Sequence, residues 1–477
     1  MPIHVGEWRG NIVGGIIPTT TFTAVPGALD TQIRNDSNVY SFNFASSTLT
    51  LPSSSLADGY LIIAAYEYED TSNGRATLSG RVLQTSGTGN SVAPIAGGYC
   101  RDSNENRVYV RTWAFVDSPS ASSTFEFQWI RDIDAPIGGT VRAVFEVISF
   151  FYDGCSLYNS SSTALYGGTT PNQVQGLTTV SETSGATRTG NVVTLNNSSK
   201  RYLVLGAGHM YDTGNSRTQR WVGVREDGSA LDHCKGYFYL RNNGNNFIGA
   251  MFSCIIETAA ISKTVDLFAY TGNGTNAGDG GADQDGTAPS SAEYYLAVIE
   301  LNDQTSCLQT TNGTQTTDIN QPAITDVPSF DTTLVSNGSY FTNLGASSGV
   351  TVEAAQDFTL LAGSNMSCAA TSVGDTARFT GHAQFFRDTT LQNETFHGNF
   401  LRNNQGNADT FGWSANQIGT TDMTTGQTFK NTARRLAGSA GGGAPTIQSN
   451  WHGTWALSVE SMLDVPPSSG RRIFLIT

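Results

Sequence analysis

One acidic segment has the residue types and spacing that metal binding requires. Asp279, Asp283 and Asp285 lie in the glycine-rich segment 279–286, DGGADQDG. Ca²⁺ takes six or more oxygen ligands, and this flexible segment could supply three or four of them. The glutamate expected at the far end of such a loop is absent. The pattern therefore favours a solvated loop, with an ordered calcium site as the alternative, and we expect no other metal or cofactor.

A serine motif raises the possibility of nucleophilic catalysis. The segment 345–349, GASSG, matches the GxSxG pattern of a nucleophile elbow. Such an elbow needs a strand before the serine and a helix after it, whereas here a turn-rich segment precedes and a predicted strand follows. We interpret the motif as a loop. No GxxxxGK[ST] motif is present to bind phosphates.

Carboxylates and histidines give no stronger sign of an active site. Glu67, Glu69 and Asp70 could face each other across a glycosidase cleft, but only Asp70 recurs in the second repeat described below, and an exposed loop after a strand is the expected location. The six histidines share no repeated position. Because zinc needs three or four convergent ligands, we interpret them as polar residues at strand edges and predict that the protein is not an enzyme.

Tryptophans are the better candidates for contacts. Trp113, Trp129 and Trp455 lie in predicted strands and are expected to fill cores. The remaining candidates lie near loops or in the N-terminal segment, where an exposed ring could anchor an interface or stack on a sugar. These interface or ligand candidates are Trp8, Trp221, Trp413 and Trp451.

The composition excludes several classes of partner. The net charge is -14, from 26 basic and 40 acidic residues, and no basic cluster exceeds a pair, so nucleic acid is not an expected partner. No segment approaches the ~20 apolar residues of a membrane span, and no secretory signal is visible at the start. The six cysteines occupy no matching positions in the repeats, which favours free thiols over structural disulfides.

The chain repeats its strand patterns, which indicates duplicated domains. Residues 239–243, YLRNN, recur as FLRNN at 400–404, and the apolar run starting at Tyr60 recurs at Tyr202. Short aromatic and β-branched runs on both sides of an Asn- and Gly-rich turn predict that residues 236–257 form a β-hairpin. The closing strand of each repeat also carries an acidic residue, at Glu146, Glu300 and Glu460.

These patterns predict an all-β protein with three tandem antiparallel β-sandwiches. A chain of 477 residues is long enough for about three domains, which we place at residues 36–157, 158–306 and 307–477, with jelly-roll and immunoglobulin-like topologies both open. Residues 1–35 are glycine-rich and proline-punctuated, so we predict an extended N-terminal arm that orders against a neighbouring chain. The alternative is that this arm pairs into the first sheet.

With this organisation the chain resembles virion structural proteins of tailed bacteriophages of the marine type. The resemblance rests on the first residues, MPIHVGEWRGNIVGG, on the Gly/Ser/Thr/Asn-rich tandem sandwiches, and on the duplicated YLRNN and FLRNN segments. It implies a non-enzymatic protein at the virion surface, made in the host cytoplasm, that assembles as a homotrimer or on a lattice. Its implied role is capsid decoration or a head spike bound to coat or tail subunits; the alternative is a receptor-binding tail or fibre protein that recognises a host-surface glycan.

Overall fold

The structure is a computed structural model of the whole chain. It describes residues 4–10, 13–25, 29–52, 57–71, 76–100, 107–120, 122–131, 138–162, 170–212, 218–240, 246–271, 292–311, 317–318, 325–327, 332–343, 349–353, 358–368, 378–402, 413–439, 446–447 and 452–459. Within these ranges the regular secondary structure is β-strand, with one 3₁₀ turn at Asp36–Asn38 and no α-helix. Nor do these ranges contain a helix of the length and apolarity needed to cross a bilayer.

The first sandwich contains the first thirteen strands. They are β1 Val5–Arg9, β2 Val13–Ile16, β3 Thr23–Ala24, β4 Thr31–Asn35, β5 Ser41–Asn43, β6 Thr48–Thr50, β7 Gly59–Asp70, β8 Ala76–Ser86, β9 Asn90–Val92, β10 Ala96–Cys100, β11 Arg107–Asp117, β12 Thr124–Arg131 and β13 Gly139–Phe150.

The second sandwich contains the next eleven strands. They are β14 Tyr152–Ser162, β15 Asn172–Gln173, β16 Leu177–Ser181, β17 Ala186–Thr189, β18 Val192–Leu195, β19 Arg201–Asp212, β20 Thr218–Glu226, β21 Ser229–Leu240, β22 Asn246–Glu257, β23 Lys263–Thr271 and β24 Ala292–Leu301.

The third sandwich contains the last thirteen strands of the described chain. They are β25 Cys307–Thr311, β26 Thr317–Asp318, β27 Thr325–Asp326, β28 Thr332–Asn337, β29 Phe341–Asn343, β30 Gly349–Val352, β31 Phe358–Cys368, β32 Arg378–Arg387, β33 Thr390–Arg402, β34 Trp413–Met423, β35 Thr428–Ser439, β36 Thr446–Ile447 and β37 His452–Val459.

Apart from β9, which extends the first inner sheet, the three sandwiches have the same strand order, which confirms the all-β fold built from antiparallel sandwiches. One sheet of each, called here the inner sheet, runs β4-β1-β13-β7-β11-β9, β16-β14-β24-β19-β22 or β28-β25-β37-β31-β34. The other, the outer sheet, runs β5-β6-β12-β8-β10, β17-β18-β23-β20-β21 or β29-β30-β35-β32-β33. Apart from the hairpins β20–β21 and β32–β33, successive long strands cross from one sheet to the other, which is the jelly-roll arrangement and not the immunoglobulin-like one.

Strand β7 shows how the sequence selects this arrangement. Its segment GYLIIAAYEYED is rich in β-branched and aromatic residues, and its first eight residues are buried without alternation. A strand buried on both faces must be covered by two layers. Tyr60 and Ile62 face the core of the first sandwich, whereas Leu61 and Ile63 face the other two sandwiches.

The prediction that residues 236–257 form a β-hairpin is wrong, because the two strands do not pair with each other. Strand β21 pairs with β20 in the outer sheet, and β22 pairs with β19 in the inner sheet. The connection between them, residues 241–245, therefore links two sheets, and a turn-rich sequence between two apolar runs cannot distinguish that geometry from a hairpin. The repeat itself holds, because Leu240 pairs with Thr218 of β20 and Leu401 pairs with Phe379 of the equivalent strand β32.

The N-terminal segment pairs into the first sheet, which is the alternative considered above. Strand β1 lies inside the first inner sheet, paired with β13 on one side and β4 on the other. The Trp8 side chain is fully buried and stacks on Phe42 at 4.6 Å between ring centroids. In the described residues the segment is thus part of the first sandwich and not an arm on a neighbouring chain. Strand β14, from Tyr152, pairs with β24 of the second sandwich, earlier than the predicted boundary at residue 157.

The shared acidic residue of the closing strands is not a structural repeat. Glu146 lies opposite Ile63 in β7, whereas Glu300 lies opposite Tyr202 of β19, the equivalent of Tyr60. Tyr60 itself pairs with Ser149. The third residue, Glu460, lies outside the described residues.

Candidate functional site

The three inner sheets face one another and bury a common apolar core. Trp113 of the first sandwich, Leu205 of the second and Trp455 of the third are each at most 1% exposed and belong to one cluster. This shared core is separate from the core that each sandwich has between its own two sheets. It also contains these side chains: Val5, Leu61, Ile63, Val92, Phe115, Ile148, Phe150, Cys155, Leu157, Leu203, Ala207, Met251, Ile255, Ala297, Ile299, Leu301, Cys307, Val335, Leu361, Ile418 and Leu457. One chain therefore closes three equivalent units around a pseudo-threefold centre.

The seam between the first and third sandwiches is held by buried charged groups. The Thr420 backbone N–H donates to Glu146 Oε1 at 3.1 Å, and the Thr420 hydroxyl donates to the same oxygen. Arg111 Nε donates to the Ile418 carbonyl at 2.7 Å. Glu146 and Arg111 are both 0% exposed. Since a buried charge is costly unless hydrogen-bonded, these contacts fix the relative position of the two sandwiches.

The seam between the second and third sandwiches uses amides instead. The Ser253 N–H donates to Asn365 Oδ1 at 3.1 Å, and the Ile255 N–H donates to Gln309 Oε1 at 3.0 Å. Trp455 Nε1 donates to Ser253 Oγ at 2.9 Å, so a ring of the shared core is also anchored across this seam. These bonds satisfy backbone groups of β22 that no neighbouring strand reaches.

The seam between the first and second sandwiches is aromatic. Tyr99 of β10 packs in one cluster with Trp221 and Tyr237 of the second sandwich. The Lys235 ammonium lies 5.0 Å from the centre of the Trp221 ring, within the range of a cation–π contact. The Lys235 side chain is 1% exposed and pairs with Asp232 at 2.7 Å. Burial lowers the pKa of Lys235, and the Asp232 carboxylate partly counteracts this.

A pocket of about 250 Å³ lies in the seam between the first and third sandwiches. Strands β7, β11 and β13 form one wall, and strands β32 and β35 of the third sandwich form the other. Its lining is Glu67, Glu69, Arg107, Tyr109, Thr140, Val141, Arg142, His382, Gln384 and Arg434. We call it the seam pocket.

Ion pairs fix the first-sandwich wall of the seam pocket. Arg142 binds Glu67 at 2.6 Å, and Arg107 bridges Glu67 at 3.2 Å and Glu69 at 2.9 Å. The Tyr109 hydroxyl donates to Glu67 Oε1 at 3.0 Å. Burial, and secondarily the Glu67 charge, raise the pKa of Tyr109, so this hydroxyl stays protonated and a donor.

The opposite wall presents His382. Its ring lies 4.5 Å from the Tyr109 ring between centroids and is 3% exposed. Burial lowers the pKa of His382 well below its usual value, and nearby cations, Arg434 first among them, add to the effect. The imidazole is therefore neutral at pH 7, and its buried Nε2 has no hydrogen-bond partner among the described residues.

The carboxylates singled out from the sequence lie in a strand, not in an exposed loop. Strand β7 continues to Asp70, which is 2% exposed, so Glu67 and Glu69 project from its end into the seam pocket. Sequence reasoning missed Arg107, Arg142 and Arg434. The available signal was the presence of charged residues within otherwise apolar strands, because a charged side chain that becomes buried needs an ion-pair or hydrogen-bond partner.

The tryptophan candidates fall in different places. Trp8 lies in the core of the first sandwich, and Trp221, 4% exposed, lies in the aromatic seam, so neither ring is available to an external ligand. The backbone of Trp413 starts β34, paired with Cys368. Trp451 lies outside the described residues. Trp113, Trp129 and Trp455 are core residues, as their strand positions predicted.

Only some of the remaining candidate residues lie in the described part of the chain. Asp279, Asp283 and Asp285 lie outside the described residues, as do residues 345–348 of the serine motif. Within the described ranges, no three His, Cys, Asp or Glu side chains come together as metal ligands. Several histidines predicted at strand edges are in fact buried: His4, His209, His382, His397 and His452 are 0–8% exposed. Four described cysteines are free thiols, at Cys155, Cys234, Cys254 and Cys307.

No family model and no curated protein match this sequence. Solved structures similar to parts of the chain include murine APRIL at pH 8.5, with 12% identity over 33% of this chain and 100% of that chain, and a TM-score of 0.21. They also include the PRD1 vertex protein P5, with 12% identity, 32% and 99% coverage and a TM-score of 0.21. A structure of infectious bursal disease virus Gx strain has 9% identity, 95% and 80% coverage and a TM-score of 0.16. These values are too low to assign a function to this chain.

Proposed function

We propose that the chain is a non-enzymatic structural protein of a virion, and specifically a capsid-decoration or head-spike protein at the particle surface. The observation that supports this proposal is the shared core. A single chain packs three sandwiches into one closed unit, and buried charged and amide groups fix the seams. Such a unit is stiff and preassembled, which suits a protein that must reinforce or extend a shell.

Contacts with coat subunits, tail subunits or further copies would then use the outer sheets and strand edges. The inner faces that separate single sandwiches would use to form a homotrimer are already buried within this chain. Strands β4 and β28 are equivalent edges of inner sheets, and each has a β-bulge that presents one apolar residue. Ile33 is 48% exposed and Leu334 is 42% exposed. We propose these edge residues as contact points, because exposed apolar side chains on a sheet edge favour pairing with another chain.

The test is reattachment of purified protein to particles that lack it, measured as copies per particle by electron cryo-microscopy and quantitative gels. The double variant Ile33→Asp with Leu334→Asp should lose most of its occupancy, while its melting temperature stays close to that of the wild type. Ile261→Asp is the matched control, since Ile261 is 73% exposed but lies on no bulge. Failure of the wild-type chain to bind particles would refute the structural role.

A second candidate function is recognition of a host-surface glycan by a tail or fibre protein. The seam pocket favours it, because a concave polar site of this size offers hydrogen-bonding groups that an outer sheet face does not. Purified protein that blocks adsorption of particles to host cells would support this role. Unchanged adsorption at saturating protein would count against it.

A further inference from the structure

The seam pocket carries a positive balance in an acidic protein. Its lining contains three guanidinium groups, from Arg107, Arg142 and Arg434, against the two carboxylates of Glu67 and Glu69. With His382 neutral, the balance is one positive charge, whereas the whole chain has a net charge of -14. One anionic group on a ligand would neutralise the pocket.

Arg434 is the cation that remains available to such a group. Arg107 and Arg142 are engaged by Glu67 and Glu69. Arg434 has no salt-bridge partner in the part of the chain that the structure describes, and its buried Nε has no hydrogen-bond partner there. A guanidinium in this position presents two parallel N–H donors, which match the two oxygens of a planar carboxylate.

The rest of the lining selects against a simple oxyanion. Glu67 and Glu69 carry acceptors only, and they would repel a compact anion that is mostly acceptors, such as hydrogen phosphate. A polyhydroxylated ligand offers donors to these carboxylates and acceptors to Gln384, Thr140 and the guanidinium groups. The volume of about 250 Å³ is small for a ligand site, which suits a single sugar residue.

We infer that the seam pocket binds one acidic saccharide residue, whose carboxylate lies on the Arg434 guanidinium and whose hydroxyl groups bond to Glu69 and Gln384. The buried Nε2 of His382 is a further hydrogen-bonding group on the same wall. This binding site is independent of the proposed attachment to particles, which uses the edge strands β4 and β28 on the surface.

Calorimetric titration of the full chain with D-glucuronate tests the inference, with D-glucose and inorganic phosphate as comparison ligands. We expect saturable binding of glucuronate, and binding at least about tenfold weaker for glucose and phosphate, since glucose lacks the carboxylate and phosphate lacks the set of ring hydroxyl groups. Equal binding of phosphate and glucuronate would overturn the saccharide assignment, and so would the absence of saturable glucuronate binding.

Paired variants locate the site. Arg434→Gln should weaken glucuronate binding by about tenfold or more, because a hydrogen bond to a charged group is lost. Arg435→Gln changes the next residue of β35, which does not line the pocket, and should leave the affinity unchanged. Arg434→Lys retains the charge and should still bind more weakly than wild type, provided that its melting temperature shows a folded protein. Equal losses in the Arg434→Gln and Arg435→Gln variants would refute the location.

Discussion

Buried histidines should make this protein lose stability in mild acid. His397 and His452 are at most 8% exposed, and burial lowers the pKa of His397 to about 3 and that of His452 well below its usual value. The hydrogen bonding agrees, because the Asn416 N–H donates to His397 Nδ1 at 3.0 Å, which requires an unprotonated nitrogen. The pKa values of His209, His233 and His382 are lowered by burial in the same way.

The sign and size of the effect follow from proton linkage. In the unfolded chain each histidine takes up a proton near pH 6.5, whereas in the folded protein these five stay neutral to a lower pH. Stability is therefore greatest above pH 6.5 and falls as the pH drops toward the folded pKa. Each histidine contributes a slope of up to about 1.4 kcal/mol per pH unit, or roughly 2 kcal/mol between pH 7 and pH 5. Five histidines give an upper limit of about 10 kcal/mol, comparable with the whole stability of a typical domain.

Urea unfolding at pH 7, 6 and 5, followed by tryptophan fluorescence, measures this slope. Between pH 7 and pH 5, His397→Gln should reduce the mean slope of unfolding free energy against pH by about 1 kcal/mol per unit, whatever its own packing cost. Gln309→Leu is the control, since it removes a buried seam contact without a titrating group and should lower stability equally at each pH. A stability that does not change between pH 7 and pH 5, or an unchanged slope in His397→Gln, would refute the reasoning.

Three other predictions concern the shared core, the first–third seam and the thiols. Gly363→Ala should cost about 1–3 kcal/mol of stability, because a Cβ at this position would meet the Trp455 ring at 2.4 Å; thermal unfolding measures it, and an unchanged melting temperature would contradict the packing. Glu146→Ala should cost about 1–3 kcal/mol by leaving the buried Thr420 N–H unpaired, and limited proteolysis should show faster cleavage within the first and third sandwiches, whereas an equally resistant protein would count against the seam. The four described thiols, Cys155, Cys234, Cys254 and Cys307, should stay unreactive toward Ellman's reagent at pH 8 until urea unfolds the protein, because burial raises the pKa of thiols such as Cys307, in that case to about 12; rapid labelling of any of these four in the folded protein would contradict their burial.

Strand positions and repeats could be predicted from the sequence because local composition determines them. The unbroken apolar run from Tyr60 to Tyr66 predicted a strand covered on both faces, and β7 is such a strand. The equivalence of Tyr60 with Tyr202 also holds, since β7 and β19 begin one residue before each of them and both have twelve residues. These features depend on side-chain type and periodicity alone.

What covers a strand, and which strand it pairs with, depends on distant parts of the chain. The Asn- and Gly-rich sequence before Asn246 suits both a hairpin and a link between two sheets, so it could not predict which strands β21 and β22 pair with. Trp8 lies in a glycine-rich segment that suggested an arm, yet its burial depends on β13, far along the chain. The seam pocket was beyond sequence reasoning for the same reason, because Glu67 and Arg434 meet only after the first and third sandwiches pack together.

When three sandwiches of the same topology belong to one polypeptide, the boundaries between them need not be identical. In a homotrimer every substitution at a subunit boundary appears three times, so an asymmetric feature there cannot be selected alone. Here the three boundaries have diverged into ion pairs with a pocket, a set of amide contacts and an aromatic cluster with a buried lysine. A single chain of this kind allows one boundary to form a pocket while the other two continue to hold the molecule together.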